Sequence, residues 1–136
     1  NPNIAIPIFG NGDVDSPKKA AEWRMAYEVD GIMIGRAAIG YPWIFREVKH
    51  YFKTGEILQG PTINERVEVC NIHLQKSVEW KGPKTGIFEM RRHYANYFKG
   101  IADFKEYRMK LVALENMTDI QDVLAEINNK FAQEIA

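Results

Sequence analysis

Two glycine-marked turns within Gly10–Pro42 constrain the fold of this chain more than any other feature of its sequence. Each turn follows a short apolar run, Ile4–Phe9 in the first case and Ile32–Ile34 in the second, and a helix-length segment, Ser16–Val29, lies between the two. This order predicts a βαβα unit, because the helix carries the chain back so that the second strand starts in the same direction as the first. Both turns are then at the carboxyl ends of neighbouring parallel strands.

Glycines in this position favour the binding of an anion. They let backbone N–H groups approach a ligand closely, and the N-terminus of the following helix adds a partial positive charge. In the first turn, Gly12 and its neighbours face the anion and Asp13 caps or braces the loop. In the second, Arg36 offers a cationic fork beside Gly35. Two alternatives remain open, namely that the glycines only make tight turns and that Arg36 only forms a surface salt bridge.

The remainder of the chain is predicted to be helical. Thr62 to Glu65, Asp103 to Glu106 and Thr118 to Gln121 have the spacing of capping boxes, and Thr85–Lys99 forms a further helix. Four amphipathic helices joined by short loops make a bundle. The change in pattern near Gly60 and Pro61 predicts two domains, residues 1–58 and 59–136.

Charge and cysteine content exclude some classes of function. The formal net charge is zero, so bulk charge does not indicate nucleic-acid binding. The single cysteine, Cys70, excludes a disulfide framework and a multi-cysteine zinc site, and we predict no metal site. No apolar run is long enough to span a bilayer, so we expect a cytoplasmic protein that does not enter a membrane.

The distribution of charge is more informative than its sum. Between residues 84 and 110 basic side chains outnumber acidic ones, with Lys84, Arg91, Arg92, Lys99, Lys105, Arg108 and Lys110 against Glu89, Asp103 and Glu106. We predict that Arg91, Arg92 and Lys99 point outward and bind RNA, because adjacent arginines with flanking aromatic residues suit phosphate contacts and base stacking. A solvated helix face is the competing interpretation. His73 is predicted to be a structural residue, and His93 a packing residue or a support for a neighbouring group, with a catalytic role as the alternative.

Three separated motifs give the chain a resemblance to a known family. Ile8–Val14 and Asp30–Phe45 resemble the end of the catalytic barrel of the tRNA-dihydrouridine synthases, and Met90–Gly100 resembles the signature helix of their C-terminal domain. The resemblance departs at Tyr27–Val29, where the family usually has Thr-Gly-Ala, and at Tyr41, which replaces an asparagine.

The resemblance implies the fold class. It is α/β plus all-α, the last two βα units of a (β/α)₈ TIM barrel followed by a C-terminal four-helix bundle that binds tRNA. A whole barrel takes roughly 250 residues, and this chain has 136. We therefore expect a C-terminal fragment, which pairs with a second copy through its open barrel edges.

The resemblance also implies the chemistry of the whole enzyme, an FMN-dependent oxidoreductase that uses NADPH to reduce uridine to 5,6-dihydrouridine in tRNA. Asn11, Gly12, Asp13, Gly35 and Arg36 match the flavin-phosphate loops, and Arg91, Arg92 and Lys99 match the tRNA-binding domain. Cys70 lacks the sequence context of the family's catalytic cysteine, so we expect no catalytic residue in this chain and no activity from it alone. Two alternatives are a non-catalytic RNA-binding helical module and another FMN-dependent TIM-barrel oxidoreductase.

Overall fold

The computed structural model describes residues 5–132 of the chain. The chain divides into two compact units, Asn1–Gly60 and Pro61–Ala136. Of the helices in the described residues, none is both long enough and apolar enough to cross a membrane.

The first unit has two βα repeats. Its elements are β1 (Phe9–Gly10), α1 (Pro17–Tyr27), β2 (Gly31–Ile32), a 3₁₀ turn (Arg36–Ala38) and α2 (Ile44–Thr54). The two strands are parallel, with Phe9 opposite Gly31 and Gly10 opposite Ile32. The expected βαβα order is therefore present, and the loops that follow the two strands leave the same end of the pair.

The strands are shorter than the sequence predicted. The predicted range Ile4–Phe9 starts at a residue outside the described part, and within that part β1 covers only Phe9–Gly10, while β2 is Gly31–Ile32 instead of Ile32–Ile34. Two causes are visible. Pro7 has no N–H to donate to a ladder, and in the described residues each strand has one neighbour.

Local signals place the two helices of this unit. The Ser16 hydroxyl accepts a hydrogen bond from the Lys19 N–H at 3.1 Å, so Ser16 caps α1 as expected. Gly55 ends α2 with φ 73°, a conformation that favours glycine, and its N–H donates to the Tyr51 carbonyl. The buried core between the helices and the strands consists of Val14, Ala20, Ile44 and Val48.

The second unit, as far as it is described, consists of helices. They are α3 (Ile63–Lys81), α4 (Pro83–Tyr97), α5 (Lys105–Ala113) and α6 (Met117–Phe131). The capping box between Thr62 and Glu65 is confirmed in both directions. The core of this unit contains fully buried side chains from all four helices, among them Leu74, Met90, Leu111 and Ile127.

The other two predicted capping boxes are wrong. Asp103 has φ 58°, which places it in a left-handed turn, and α5 starts after Phe104 without a side-chain cap. The cap of α6 is Asn116, whose side-chain oxygen accepts from the N–H groups of Thr118 and Asp119 at 2.8 and 3.3 Å. The helix therefore starts before Thr118 could act as its cap. The boundaries of α4 are also shifted, from the predicted Thr85–Lys99 to Pro83–Tyr97.

Helices α3 and α4 pack very closely where they face each other at Gly86. A Cβ atom on Gly86 would lie 2.6 Å from the backbone oxygen of Ser77, and the Ser77 hydroxyl donates to the Gly86 carbonyl at 2.9 Å. Within the described residues the fold is mostly helical with a small parallel sheet, which is compatible with part of the predicted domain. The closed barrel and the bundle as a complete arrangement stay predictions.

Candidate functional site

The loop that follows β1 is shaped by Gly12 and Asp13. Gly12 has φ 154° and Asp13 has φ 52°. The ring of Trp23, on α1, packs against Gly12 so closely that an added Cβ would lie 2.6 Å from Cη2. Any side chain at position 12 would therefore displace the indole ring, and glycine keeps this loop flat against the helix.

The loop that follows β2 is open at Gly35. A Cβ atom added there would meet no atom within 4 Å, so the backbone is accessible from outside. The Gly35 carbonyl accepts from the Ala38 N–H at 3.0 Å, which starts the 3₁₀ turn at Arg36. The first N–H groups of such a turn have no partner within the turn itself.

The two loops are joined by an ion pair. Arg36 donates from Nε to Oδ1 of Asp13 at 2.9 Å and from Nη2 to both carboxylate oxygens at 2.5 Å. The hydrogen bond from Arg36, followed by its charge, holds the pKa of the Asp13 carboxyl below its ordinary value of 3.8. On the other side of the loop, Lys19 Nζ donates to the Asp13 carbonyl oxygen at 2.7 Å.

A cleft of about 790 Å³ lies between these loops. All five residues that the sequence predicted to bind the cofactor line it, namely Asn11, Gly12, Asp13, Gly35 and Arg36, together with Val14, Asp15, Met33 and Ala37. The structure thus brings the two glycine turns together at one cleft. Arg36 does form the surface salt bridge that was the alternative prediction, and its role toward a phosphate stays a prediction.

The predicted RNA-binding residues all lie in the second unit. Arg91 is half-buried and lines a cleft at the start of α4 together with Lys84 and Phe88. Lys99 is exposed just beyond the end of α4 and lines a different cleft of about 530 Å³. Arg92 is exposed, as predicted. Arg91 and Lys99 thus line different clefts, Arg91 is less exposed than predicted, and the RNA-binding role of the three residues stays a prediction.

Two histidines meet between α3 and α4. The rings of His73 and His93 are edge to face with centroids 4.6 Å apart, and His73 Nδ1 is 2.9 Å from the Tyr97 hydroxyl. Burial, followed by the charge of His73, lowers the pKa of His93 to about 4. The pair agrees with the prediction of structural and packing roles, but their contact was not foreseen.

Cys70 lies at the centre of the second unit. It is fully buried, and burial raises the pKa of its thiol above the ordinary value of 9.0. A thiol in this setting stays protonated and is out of reach of a substrate. Cys70 is therefore a core residue, as the sequence predicted.

One contact in the first unit was not predicted from the sequence. The Tyr41 hydroxyl donates to Glu47 Oε1 at 2.9 Å, and Glu47 is a buried carboxylate of the described residues. The sequence signal at this position is that Tyr41 replaces an asparagine of the family pattern. The contact links the segment after the 3₁₀ turn to the first turn of α2.

Comparison with known proteins places the chain in a family. The family model described as dihydrouridine synthase (Dus) matches residues 1–136. A tRNA-dihydrouridine synthase B of Pseudomonas putida is 38% identical over 130 residues, covering 96% of this chain and 38% of the relative. A probable tRNA-dihydrouridine synthase of Rickettsia conorii is 31% identical over 124 residues, covering 91% of this chain and 38% of the relative.

A third relative is probable tRNA-dihydrouridine synthase 1 of Synechocystis, which is 34% identical over 121 residues, covering 89% of this chain and 34% of the relative. The chain thus spans little more than a third of the length of these relatives. The match to the family model includes both glycine turns and the six helices of the described residues. The chain belongs to the dihydrouridine synthase family.

Proposed function

We propose that this chain supplies the phosphate end of a flavin site and an RNA-contacting helical unit to a tRNA-dihydrouridine synthase. When bound, FMN supplies the redox chemistry of such an enzyme, in which NADPH is the reductant and a uridine of tRNA becomes 5,6-dihydrouridine. The observation that carries the proposal is the cleft lined by the loops after β1 and β2. Its position at the carboxyl ends of parallel strands is the position where barrels of this kind bind phosphate.

The residues of the cleft fit a phosphate group. Arginine has five N–H donors, and Asp13 engages those on Nε and Nη2 of Arg36. Among the described residues Nη1 has no acceptor, so its two N–H groups remain for an anion. Asp13 therefore acts as a positioning residue that fixes the plane of the guanidinium.

Main-chain N–H groups are the second source of attraction for a phosphate in this cleft. The positive charges of Arg36 and of Lys19, on α1, are matched in number by the negative charges of Asp13 and Asp15, so side-chain charge alone would hold a phosphate weakly. The open backbone at Gly35, where no atom lies within 4 Å of an added Cβ, lets an anion come into hydrogen-bond distance of main-chain N–H groups. We propose that these donors, with Arg36, hold the phosphate of FMN.

Catalysis is assigned to residues outside this chain. The buried, protonated thiol of Cys70 is unsuited to deliver a proton to a uracil ring, and no other residue here takes that role in our proposal. We expect the chain alone to be inactive. Oxidation of NADPH by the purified chain, with FMN and unmodified tRNA present, would contradict this part of the proposal.

The helical unit is proposed to contact tRNA through Arg91, Arg92 and Lys99. Arg92 and Lys99 are exposed, so their charges are available to phosphates. Because tRNA is the substrate, we place the protein in the cytoplasm and expect no role at a membrane.

A flavin titration tests the phosphate site. We expect FMN to bind the chain more tightly than riboflavin, which has the same ring system without the phosphate. Arg36→Ala should remove most of this difference, since it removes both the cation and the partner of Asp13. Arg46→Ala is the matched control, because Arg46 is an exposed arginine of α2 that does not line the cleft.

Two results would overturn the flavin proposal. One is equal affinity for FMN and riboflavin, and the other is an equal effect of Arg36→Ala and Arg46→Ala. If the chain nevertheless bound tRNA, the alternative of a non-catalytic RNA-binding helical module would replace it.

A further inference from the structure

A second cleft lies at the start of α4, within the second unit. Its volume is about 630 Å³, which is in the range of pockets that hold small ligands. The residues that give it chemical character are Lys84, Phe88 and Arg91 of α4 and Glu115, which precedes α6. Ile87 is 3% exposed and forms its apolar floor.

Phe88 presents an aromatic ring to solvent in this cleft. The side chain is 65% exposed, although two other aromatic residues of the same helix, Tyr94 and Tyr97, are buried. Single exposed apolar residues are common on proteins. Phe88 differs in its surroundings, because Lys84 is four residues before it and Arg91 three residues after it, which places both cations on the same face of α4.

Arg91 is held beside the ring with an unsatisfied donor. Its guanidinium carbon is 5.4 Å from the centroid of the Phe88 ring, in cation–π contact. Arg91 Nε is buried and has no hydrogen-bond partner among the described residues. Arg91 lines the cleft, and a guanidinium beside an aromatic ring is suited to bind a phosphate next to a stacked planar group.

The charges in the cleft indicate how a ligand is oriented. Lys84 and Arg91 attract phosphate, whereas the Glu115 carboxylate repels it and accepts hydrogen bonds from hydroxyl or amino groups. A nucleotide satisfies both ends, since it carries a phosphate on one side and a ribose and base on the other. The 2′-hydroxyl of RNA is one donor that Glu115 can accept.

We propose that this cleft binds one unstacked nucleotide of the RNA substrate, with its base stacked on Phe88 and its phosphate held by Lys84 and Arg91. The proposal rests on the proposed function, in which this unit contacts tRNA. It adds a site that reads an unpaired nucleotide, in contrast to Arg92 and Lys99, which contact the backbone. Single-stranded loops and bulges are the parts of an RNA whose bases are free to stack on a protein ring.

Equilibrium binding of the whole chain to an unmodified tRNA transcript tests the site. We expect Phe88→Ala to weaken binding about tenfold, a typical loss for one stacked base, and Phe88→Tyr, which retains the ring, to bind like the original chain. Trp80→Ala is the matched control, because Trp80 is an 85% exposed aromatic residue on α3 that does not line the cleft. An unchanged melting temperature of Phe88→Ala shows that the loss is not a loss of folding.

A plain RNA duplex separates stacking from charge. Phe88→Ala should leave duplex binding unchanged, because a duplex offers no unstacked base, whereas Lys84→Ala should weaken binding to both RNAs and reduce the salt dependence by about one phosphate contact. Equal losses for Phe88→Ala and Trp80→Ala, or an equal effect of Phe88→Ala on tRNA and duplex, would overturn the proposal.

Arg92→Ala and Lys99→Ala distinguish this failure from failure of the proposed function. If these variants weaken tRNA binding while Phe88→Ala does not, the unit binds RNA without the nucleotide site. If the original chain binds no tRNA at all, both the RNA-binding role and the nucleotide site are wrong.

Discussion

The guanidinium of Arg36 lies against the carboxylate of Asp13, with Nε 2.9 Å from Oδ1. The two residues follow different strands, so their contact ties the loop after β1 to the loop after β2. The side chains are 80% and 61% exposed, and exposed ion pairs contribute little to global stability. The effect of this pair is local, since it fixes the arginine that faces the cleft.

We expect acid to release Arg36 from Asp13. The pKa of Asp13 is lowered from 3.8 by the hydrogen bond from Arg36 and then by its charge. The stabilisation by the Asp13–Arg36 ion pair is therefore fully present above pH 3.8. It is lost as the pH falls through the lower pKa that the Asp13 carboxyl has in the folded state. An NMR titration of the Asp13 carboxyl carbon should show a midpoint below 3.8, and Arg36→Gln should raise it. A midpoint that Arg36→Gln does not move would contradict the pairing.

Tyr41→Phe should destabilise the first unit. The change removes the hydroxyl that donates to Glu47 at 2.9 Å and leaves a carboxylate that is 9% exposed without this donor. Loss of one partner of a buried polar group costs about 1–3 kcal/mol. The free energy of unfolding, measured by urea denaturation with tryptophan fluorescence, checks this loss. Tyr51→Phe, on α2, is the control, and an equal loss in both variants would argue against a special role for Tyr41.

Short-range signals predicted much of the fold. Ser16, Gly55 and the pair Thr62 and Glu65 are all located correctly, because each acts on backbone groups within four residues. The capping box predicted at Thr118 is wrong because another short-range signal competes with it. Asn116, two residues earlier, accepts from the N–H groups that a cap must satisfy, and the sequence does not reveal which of two competing caps prevails.

Features that depend on distant residues were less predictable. The length of β1 depends on its neighbours in the sheet, which the apolar run Ile4–Phe9 does not specify. The order of strands and turns did predict that Gly12 and Gly35 line one cleft. It did not predict that Asp13 would be the partner of Arg36, because the two are 23 residues apart.

The division of the basic residues also required the structure. Arg91 and Lys99 are eight positions apart, but α4 ends at Tyr97, so Lys99 leaves the helical register. The exposure of Phe88 likewise depends on how α4 packs on other helices, which amphipathic spacing alone leaves open.

The second unit should lose stability as the pH falls from 6.5 toward about 4. Burial, followed by the charges of His73 and Arg92, lowers the pKa of His93 to about 4. Burial also lowers the pKa of His73, with Arg92 and Lys81 adding to the effect. Because the unfolded chain binds protons more readily in this interval, protonation favours unfolding.

Urea denaturation at several pH values checks this dependence. His93→Gln should flatten the decline between pH 6.5 and 4, whereas His50→Gln, in the first unit, should leave it unchanged. Glu89 is the acidic group that opposes the shift of His93. A decline of equal slope in the His93 variant would show that other groups cause it.

We expect the chain in isolation to self-associate through its strands. In the described residues each strand of the two-stranded sheet has an unpaired edge, and Ile6 and Phe9 are 72% and 66% exposed. Unpaired edges and apolar surface favour association. Light scattering should find species larger than the monomer, and Ile6→Lys should reduce them. Ile57→Lys is the control, since Ile57 is 67% exposed but lies after α2. A strictly monomeric mass would contradict this prediction.

Gly86→Ala should destabilise the second unit even though alanine favours helix formation. Alanine gains about 1 kcal/mol over glycine inside a helix, but its Cβ would lie 2.6 Å from the Ser77 carbonyl oxygen and 2.7 Å from the Val78 Cα. These are backbone atoms, so no change of rotamer relieves the clash and α3 and α4 must separate. Overpacking of this kind costs about 1–3 kcal/mol.

The melting temperature and the urea midpoint measure the net effect, which we expect to be a loss in both. Thr85→Ala is the matched control, because Thr85 is the exposed neighbour of Gly86 on α4 and its replacement adds no atom between the helices. Arg91 and Phe88 follow Gly86 on the same helix, so the separation of α3 from α4 should also weaken tRNA binding. If Gly86→Ala were as stable as Thr85→Ala, α3 and α4 would be able to move apart at Gly86 without a loss in the free energy of unfolding.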